Sequence, residues 1–408
     1  MFWRLIIQIG LAVAMSVNSL VVSIAPECSG DVRIASVADM NVINKCATIY
    51  GSLIIDSNFN NELIDLADIE SITEDLVINQ NHHISEIRGS KVLSVGGTFR
   101  LQELTNLFNM ELPNLHAVNS IEWSVLPILL YANTLPLKVN KSVVVSDTSL
   151  QELDLRNVAP EIEVLDINNN RYIYNLLIPV EKIEVLMHLV SNGDGMTVDL
   201  ANLTHVRNMT LQHLGGLKIH QLEAVENLMA IISNKFGTLN LSKLRRVGGT
   251  LFIATNAELA SIEANHLEDI RGGFVAINNS KLYDVDGFKQ LTSIGGALHV
   301  EGPIENLGFE GLRELRGLAL IKATLGFDCD AWLSSEMVTK IRGGAIRCEL
   351  NQGHYTSHDD EENRHITQES GPVTPIATEP ARMASVAWQV GSLQWLYMFI
   401  GAIVVALN

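Results

Sequence analysis

The stretch GGTLFIATNAEL, Gly248 to Leu259, is followed closely by GGFVAINNSKLYDV, Gly272 to Val285, and the two are copies of one unit. Each opens on a Gly pair and runs apolar-x-apolar-x-x-Asn, ending at Asn256 or Asn279. Each then adds two apolar residues at fixed offsets: Leu259 and Ile262 after Leu251, Leu282 and Val285 after Phe274. The same unit reads as Leu53 to Asn58, Leu76 to Asn81, Leu165 to Asn170, Met187 to Asn192 and Met229 to Asn234. Starts fall about 22 residues apart or near whole multiples of that spacing, so degenerate coils are expected in the gaps. Phe99, Val144 and Thr210 are the expected starts of three of them, and Leu298 and Leu320 extend the series.

A fixed period of this length is a solenoid, because one coil cannot bury its apolar face alone. Alternating Leu-x-Ile sends both side chains to the inner face of a short strand. Asn at the following corner tolerates a left-handed backbone, and stacked Asn side chains can bond neighbouring coils. The Gly pairs, such as Gly96-Gly97 and Gly295-Gly296, precede strands where a tight bend is expected. Helices on the outer side would show a 3.6-residue pattern after the Asn. Here the later apolar positions are three apart and interrupted by Gly or Asn. The expected fold is all-β: a right-handed parallel β-solenoid of leucine-rich-repeat-like coils, about twelve between Leu53 and Leu320, with three short faces per turn.

The open ends of such a stack need caps. The chain has four cysteines, in two local pairs near the ends of the repeat: Cys28 with Cys46 and Cys329 with Cys348. Four cysteines allow three connectivities, and the clustering favours the two local bridges. Their spacings fit no metal-ligand pattern. Residues 26–350 are expected to form the solenoid with its caps.

The two ends read as addresses. Residues 1–25 carry Arg4, a long apolar run and small residues, as a secretory signal peptide does. Residues 351–385 form a polar linker. Residues 386–408 end in an apolar tail from Trp395 to Leu407 with no basic flank, the pattern of a GPI-anchor signal with Ser385 as attachment site. Secretion gives meaning to five Asn-x-Ser/Thr sequons, at Asn140, Asn202, Asn208, Asn240 and Asn278. The neighbouring corner residue Asn279 argues against modification at Asn278, so four occupied sites are expected.

Charge narrows the function classes. With 28 Lys and Arg against 46 Asp and Glu the net charge is −18, and no basic cluster offers a face to nucleic acid. The linker residues His354, His358, Asp359, Asp360, Glu361, Glu362 and His365 include metal-ligand types, but a solvated acidic linker lacks fixed ligand geometry. His82-His83 reads as a surface pair beside Asn81. Trp123 could stack on a sugar, since Ser120 to Pro136 looks irregular, although core packing is the better reading. Asp56, Asp147 and Asp166 are scattered over different coils rather than paired as in a polysaccharide hydrolase. No catalytic or metal motif was found, and no cofactor is expected.

Several segments carry a family resemblance. TFRLQELTNLFNMELPNLHAVNSIEWSVLPIL (Thr98 to Leu129), VVSDTSLQELD (Val144 to Asp154) and DINNNRYI (Asp166 to Ile173) resemble the fungal GPI-anchored cell-wall organisation proteins. GGTLFIATNAEL, GGALHVEG (Gly295 to Gly302) and the cysteines flanking IRGGAI (Ile341 to Ile346) continue the resemblance along nearly the whole mature chain. It implies a fold like the ligand-binding L domains of insulin- and EGF-type receptors. It also implies a non-enzymatic surface glycoprotein, anchored to the outer leaflet, that serves wall integrity or spore-wall assembly. Wall polysaccharide or mannoproteins would be its partners. Members of that family usually carry a long Ser/Thr-rich stalk, whereas Asn351 to Pro380 holds six Ser or Thr residues. A receptor-like ectodomain binding a protein or glycan is the second reading, and a wall-polysaccharide enzyme the third.

Overall fold

A computed structural model describes residues 25–324 and 326–350. They form a parallel β-solenoid of about 13 coils of about 22 residues. The main strands stack in one unbroken register. Leu53 lies beside Leu76, Leu76 beside Phe99, and Phe99 beside Ile121. The row continues through Val143, Leu165, Met187, Met209 and Met229. Leu251, Phe274, Leu298, Ala319 and Ile346 complete it.

The expected starts at Phe99 and Leu298 are the observed ones. Those at Val144, Thr210 and Leu320 are each one residue late, and a further coil begins at Ile121. The cause is local. Val143, Val144 and Val145 are equally apolar, Ala319 is small, and none of these coils has an Asn to mark its phase. A slip of one residue exchanges the inner and outer faces of a strand. Thus Val143 and Val145 are buried, while Val144 faces outward.

Each coil has three strand positions. One typical coil uses Leu76–Asn79 in the main row, Glu86–Arg88 on a second side and Ser94–Gln102, which begins a third short row before merging into the next main strand. The second side is built from Leu63–Asp65, Glu86–Arg88, Asn109–Leu112 and Ala132–Thr134, all parallel. It resumes with Asn175–Leu177, Met196–Asp199 and Leu214–Lys218.

The interior is a continuous apolar column that runs through all the coils. Each main strand contributes two inward residues, such as Leu251 and Ile253, both with no exposed area. Full burial of such a side chain contributes about 1.5–3 kcal/mol. Trp123 belongs to this column. It lies in the strand Ala117–Leu126, is 1% exposed, and packs edge-on against Phe99 with ring centroids 5.6 Å apart. The region from Ser120 to Ser124 is therefore regular strand, ending at the left-handed Val125, and Trp123 offers no sugar platform.

Buried asparagines hold the corners. Asn256 is fully buried, and its Nδ2 donates to Ile231 O at 2.9 Å and to Asn279 Oδ1 at 3.0 Å. Its Oδ1 accepts from Asn234 N at 2.8 Å and Asn234 Nδ2 at 3.0 Å. Asn170 and Asn192 repeat the arrangement. Two expectations need correction. The left-handed residue stands one position before the Asn, as at Gln80, Asn169, Ser233, Thr255 and Asn278, and the Asn itself serves as the bonded plug. Asn58 is not in the ladder: it is exposed and bonded to Asp56, while Phe59 fills the interior there.

The Gly pairs answer a different need from the bend expected of them. Gly248 has no positive φ, but a Cβ there would meet Glu226 O at 2.0 Å. The pair lets adjacent coils approach backbone to backbone.

Both ends are closed by short helices that the repeat pattern did not announce. At the first, α1 (Val37–Ile43) starts at a capping box formed by Ser36 and Asp39, and buries Met40 and Ile43. The Cys28–Cys46 bridge ties this cap together. At the other end, α2 (Cys329–Leu333) and α3 (Glu336–Thr339) cover the last coils. There Trp332 donates its Nε1 hydrogen to Leu307 O at 3.2 Å, and Cys329–Cys348 ties α2 to the last strand.

Candidate functional site

The outward residues of the main row change character along the stack. Toward the N-terminal half apolar residues such as Ile54, Val77 and Val144 alternate with polar ones paired between coils: Arg100 with Glu122 at 2.7 Å, and Asp166 with His188 at 2.8 Å. Further on they are Ala230, Phe252, Val275 and His299. His299 is 8% exposed; its Nε2 lies 3.2 Å from Glu301, and its Nδ1 has no partner. Burial holds the His299 pKa below the ordinary histidine value, outweighing the opposite pull of Glu301. At the second side, Lys218 holds the Asp199 carboxyl below the usual carboxylate range, and Arg156 does the same for Asp154.

The acids singled out in the sequence do not converge. Asp56 caps its own turn by accepting from Asn58 N at 2.9 Å. Asp147 accepts from Asn169 at 3.2 Å, and Asp166 accepts from Asn168 at 2.7 Å as well as engaging His188. Ser191 and His213 approach to 3.1 Å, but the other ring nitrogen of His213 meets the Gln212 amide nitrogen at 3.5 Å. An activated serine needs a third group that orients its base, and that amide nitrogen cannot accept a proton. His82 binds Thr105 Oγ1 at 2.9 Å on the surface. Among the described residues, no group of three His, Cys, Asp or Glu side chains is arranged to hold a metal ion. Ser385, the acidic linker and both terminal signals lie outside the described residues.

The sequons divide by accessibility. Asn140, Asn202, Asn240 and Asn278 are exposed. Asn278 occupies the left-handed position with φ 55°, and its neighbour Asn279 takes the buried ladder position, so the two do not compete. Asn208 is the encumbered one: its Nδ2 donates to Val185 O at 3.0 Å, and the sequon residue Thr210 is 6% exposed.

A surface feature absent from the sequence reading is an exposed aromatic row. Phe108, Leu130 and Tyr174 stand nine residues past the in-register residues Phe99, Ile121 and Leu165, which places them one above another on the second side. Phe108 is 59% exposed, Tyr131 55% and Tyr174 51%. Tyr131 donates to Gln151 in the next coil, and the Arg171 guanidinium lies 5.9 Å from the Tyr172 ring centre. Beyond Leu177 a shallow cavity of about 260 Å³ is lined by Arg156, Pro179, Asp199 and Asn202. The inward repeat pattern masks this row, because its residues sit at a coil position that tolerates any side chain.

With this geometry in view, the relatives decide the family. Sporulation-specific protein 2 of Saccharomyces cerevisiae is 33% identical over 324 residues, 78% of this chain and 64% of its own length. Sporulation-specific protein 22 of the same yeast is 33% identical over 309 residues, 75% of this chain and 66% of its own. The chain belongs to the fungal cell-wall protein family. A cell surface GPI-anchored protein of Arthroderma benhamiae is 27% identical over 390 residues, 94% of this chain and 98% of that protein. This member of the family therefore spans about two thirds of the two sporulation proteins, and nearly all of the surface protein. Its relatives place it at the cell surface and wall. No family model matches the chain, and no solved structure matches it.

Proposed function

We propose that the protein is a non-catalytic, N-glycosylated surface protein, attached through Ser385 to a GPI anchor, that maintains wall organisation and can serve the spore wall. The observation that carries this reading is the closed solenoid. About 13 coils with one apolar column and a disulfide-tied cap at each end make a rigid rod, whose broad outer faces are free to contact wall polymers or mannoproteins. The near end-to-end match to a surface GPI-anchored protein supports the anchor. The two sporulation-specific relatives support the spore wall as one setting.

The reading is tested by deleting the gene and restoring either the full chain or a form ending at Glu379. Vegetative cells and spores are then scored for survival in wall-perturbing dyes and lytic glucanase. The reading expects a wall defect that the full chain repairs and the secreted, truncated form does not. Wild-type resistance in the deleted strain, at both stages, would refute it.

A further inference from the structure

The aromatic row on the second side is exposed, ordered and linear. Phe108, Leu130, Gln151 and Tyr174 occupy the same position in four successive coils, each directly after a buried inward residue (Leu107, Leu129, Leu150 and Ile173), and the Gln151 N–H donates to Leu130 O at 3.0 Å. Successive coils are about 4.8 Å apart, so the row is roughly 14 Å long. Tyr131 stands beside it in the coil of Leu130, and Leu177, 53% exposed, extends it. All five tyrosines of the described residues are at least 39% exposed, and three of them lie here. Exposed apolar surface of this kind, interleaved with polar groups, marks an interaction site.

We infer that this row binds a β-linked glucan chain laid along the solenoid axis, an assignment that rests on the wall reading and names its ligand. Charge selects among occupants. At −18 the chain repels a second copy of itself and any polyanion, including an anionic membrane surface, and so favours a neutral polymer. Ring chemistry selects further. In a β-glucan every ring hydroxyl is equatorial, so both ring faces present only C–H groups and lie flat on an aromatic side chain. Mannose has one axial hydroxyl that spoils this fit. The coil spacing is close to the length of one sugar in an extended chain. Phe108 and Tyr174 would thus stack sugars three units apart, with Tyr131 between them. Glu152, Asn109, Gln151 and Asn175 are placed to bond the equatorial hydroxyls.

The test is affinity electrophoresis of the full chain, purified from a fungal host, through gels containing laminarin, a soluble β-glucan, or yeast mannan. Wild type is compared with Tyr131→Ala, Tyr174→Ala and Tyr131→Phe. The side chains are exposed, so unchanged melting temperatures establish that the variants are folded. The expected result is retardation by laminarin, weakened about tenfold by either alanine and changed less than about twofold by Tyr131→Phe, which keeps the ring. No retardation by laminarin, equal retardation of the alanine variants, or retardation by mannan alone overturns the inference. These outcomes are separate from the wall reading, which stands or falls with the gene deletion.

Discussion

Replacing Asn256 by alanine removes the centre of the corner ladder. Four side-chain hydrogen bonds disappear: two accepted from Asn234 and two donated, to Ile231 O and Asn279 Oδ1. The Asn234 Nδ2 keeps Leu211 O, and Asn279 Oδ1 keeps the backbone N–H of residue 256. The Asn234 backbone N–H and the inner lone pair of Ile231 O lose these partners at a fully buried corner. A typical lost bond costs about 1 kcal/mol net, and a buried orphan about 1–3 kcal/mol. The expected total is about 3–5 kcal/mol. Asn256→Asp should cost more at neutral pH, because it buries a carboxylate facing Ile231 O and Asn279 Oδ1. Part of that excess should return on acidification, when the carboxyl can donate one bond. Asn58→Ala is the control, with an exposed Asn in the same sequence motif, and should change stability by less than about 0.5 kcal/mol. Urea unfolding followed by circular dichroism reads all three variants. A loss below about 1 kcal/mol for Asn256→Ala, or equal losses at positions 58 and 256, would refute the ladder as a source of stability.

Four further outcomes follow from the same structure. The double variant Cys329→Ala/Cys348→Ala opens a loop with sequence separation 19 and should cost about 3 kcal/mol; unfolding with and without reductant should give the same difference in the wild type. Gly248→Ala places a methyl group 2.0 Å from Glu226 O, so it should lower the melting temperature sharply, whereas alanine at Gly237, whose nearest neighbour is 3.7 Å away, should not. His299 is held neutral by burial, so the unfolded chain binds the proton more readily; stability should fall as pH drops below about 6.5 toward the depressed folded value, and His299→Gln should flatten that part of a melting-temperature profile. Glycopeptide mass spectrometry should find Asn140, Asn202, Asn240 and Asn278 more fully occupied than Asn208.

The repeat was legible because its marker residues answer to local physics. Leu-x-Ile sets which strand face is inward, and the buried Asn marks the corner wherever it occurs. Where a coil lacks that Asn, as at Ile121, Val143 and Ala319, nothing in the sequence fixes the phase, and three valines in a row permit either assignment. The left-handed residue could not be located from type, since Gln80, Val125 and Thr255 adopt that conformation as readily as Asn169. Coil stacking imposes it on whatever residue stands there. The cap helices are too short for a periodicity, although Ser36 and Asp39 do carry a capping-box spacing. The aromatic row was invisible because its members are about 22 residues apart and meet only when the coils are in register. Trp123, the aromatic that sequence reading did single out, is instead part of the interior.

The central claim is that this rod stands at the cell surface on a lipid anchor. Its most direct test is to treat intact cells carrying a tagged full chain with phosphatidylinositol-specific phospholipase, then separately with glucanase. The account predicts release by the phospholipase, or release by glucanase alone if the anchored form has been transferred to the wall. Retention of the tagged protein against both treatments would contradict it.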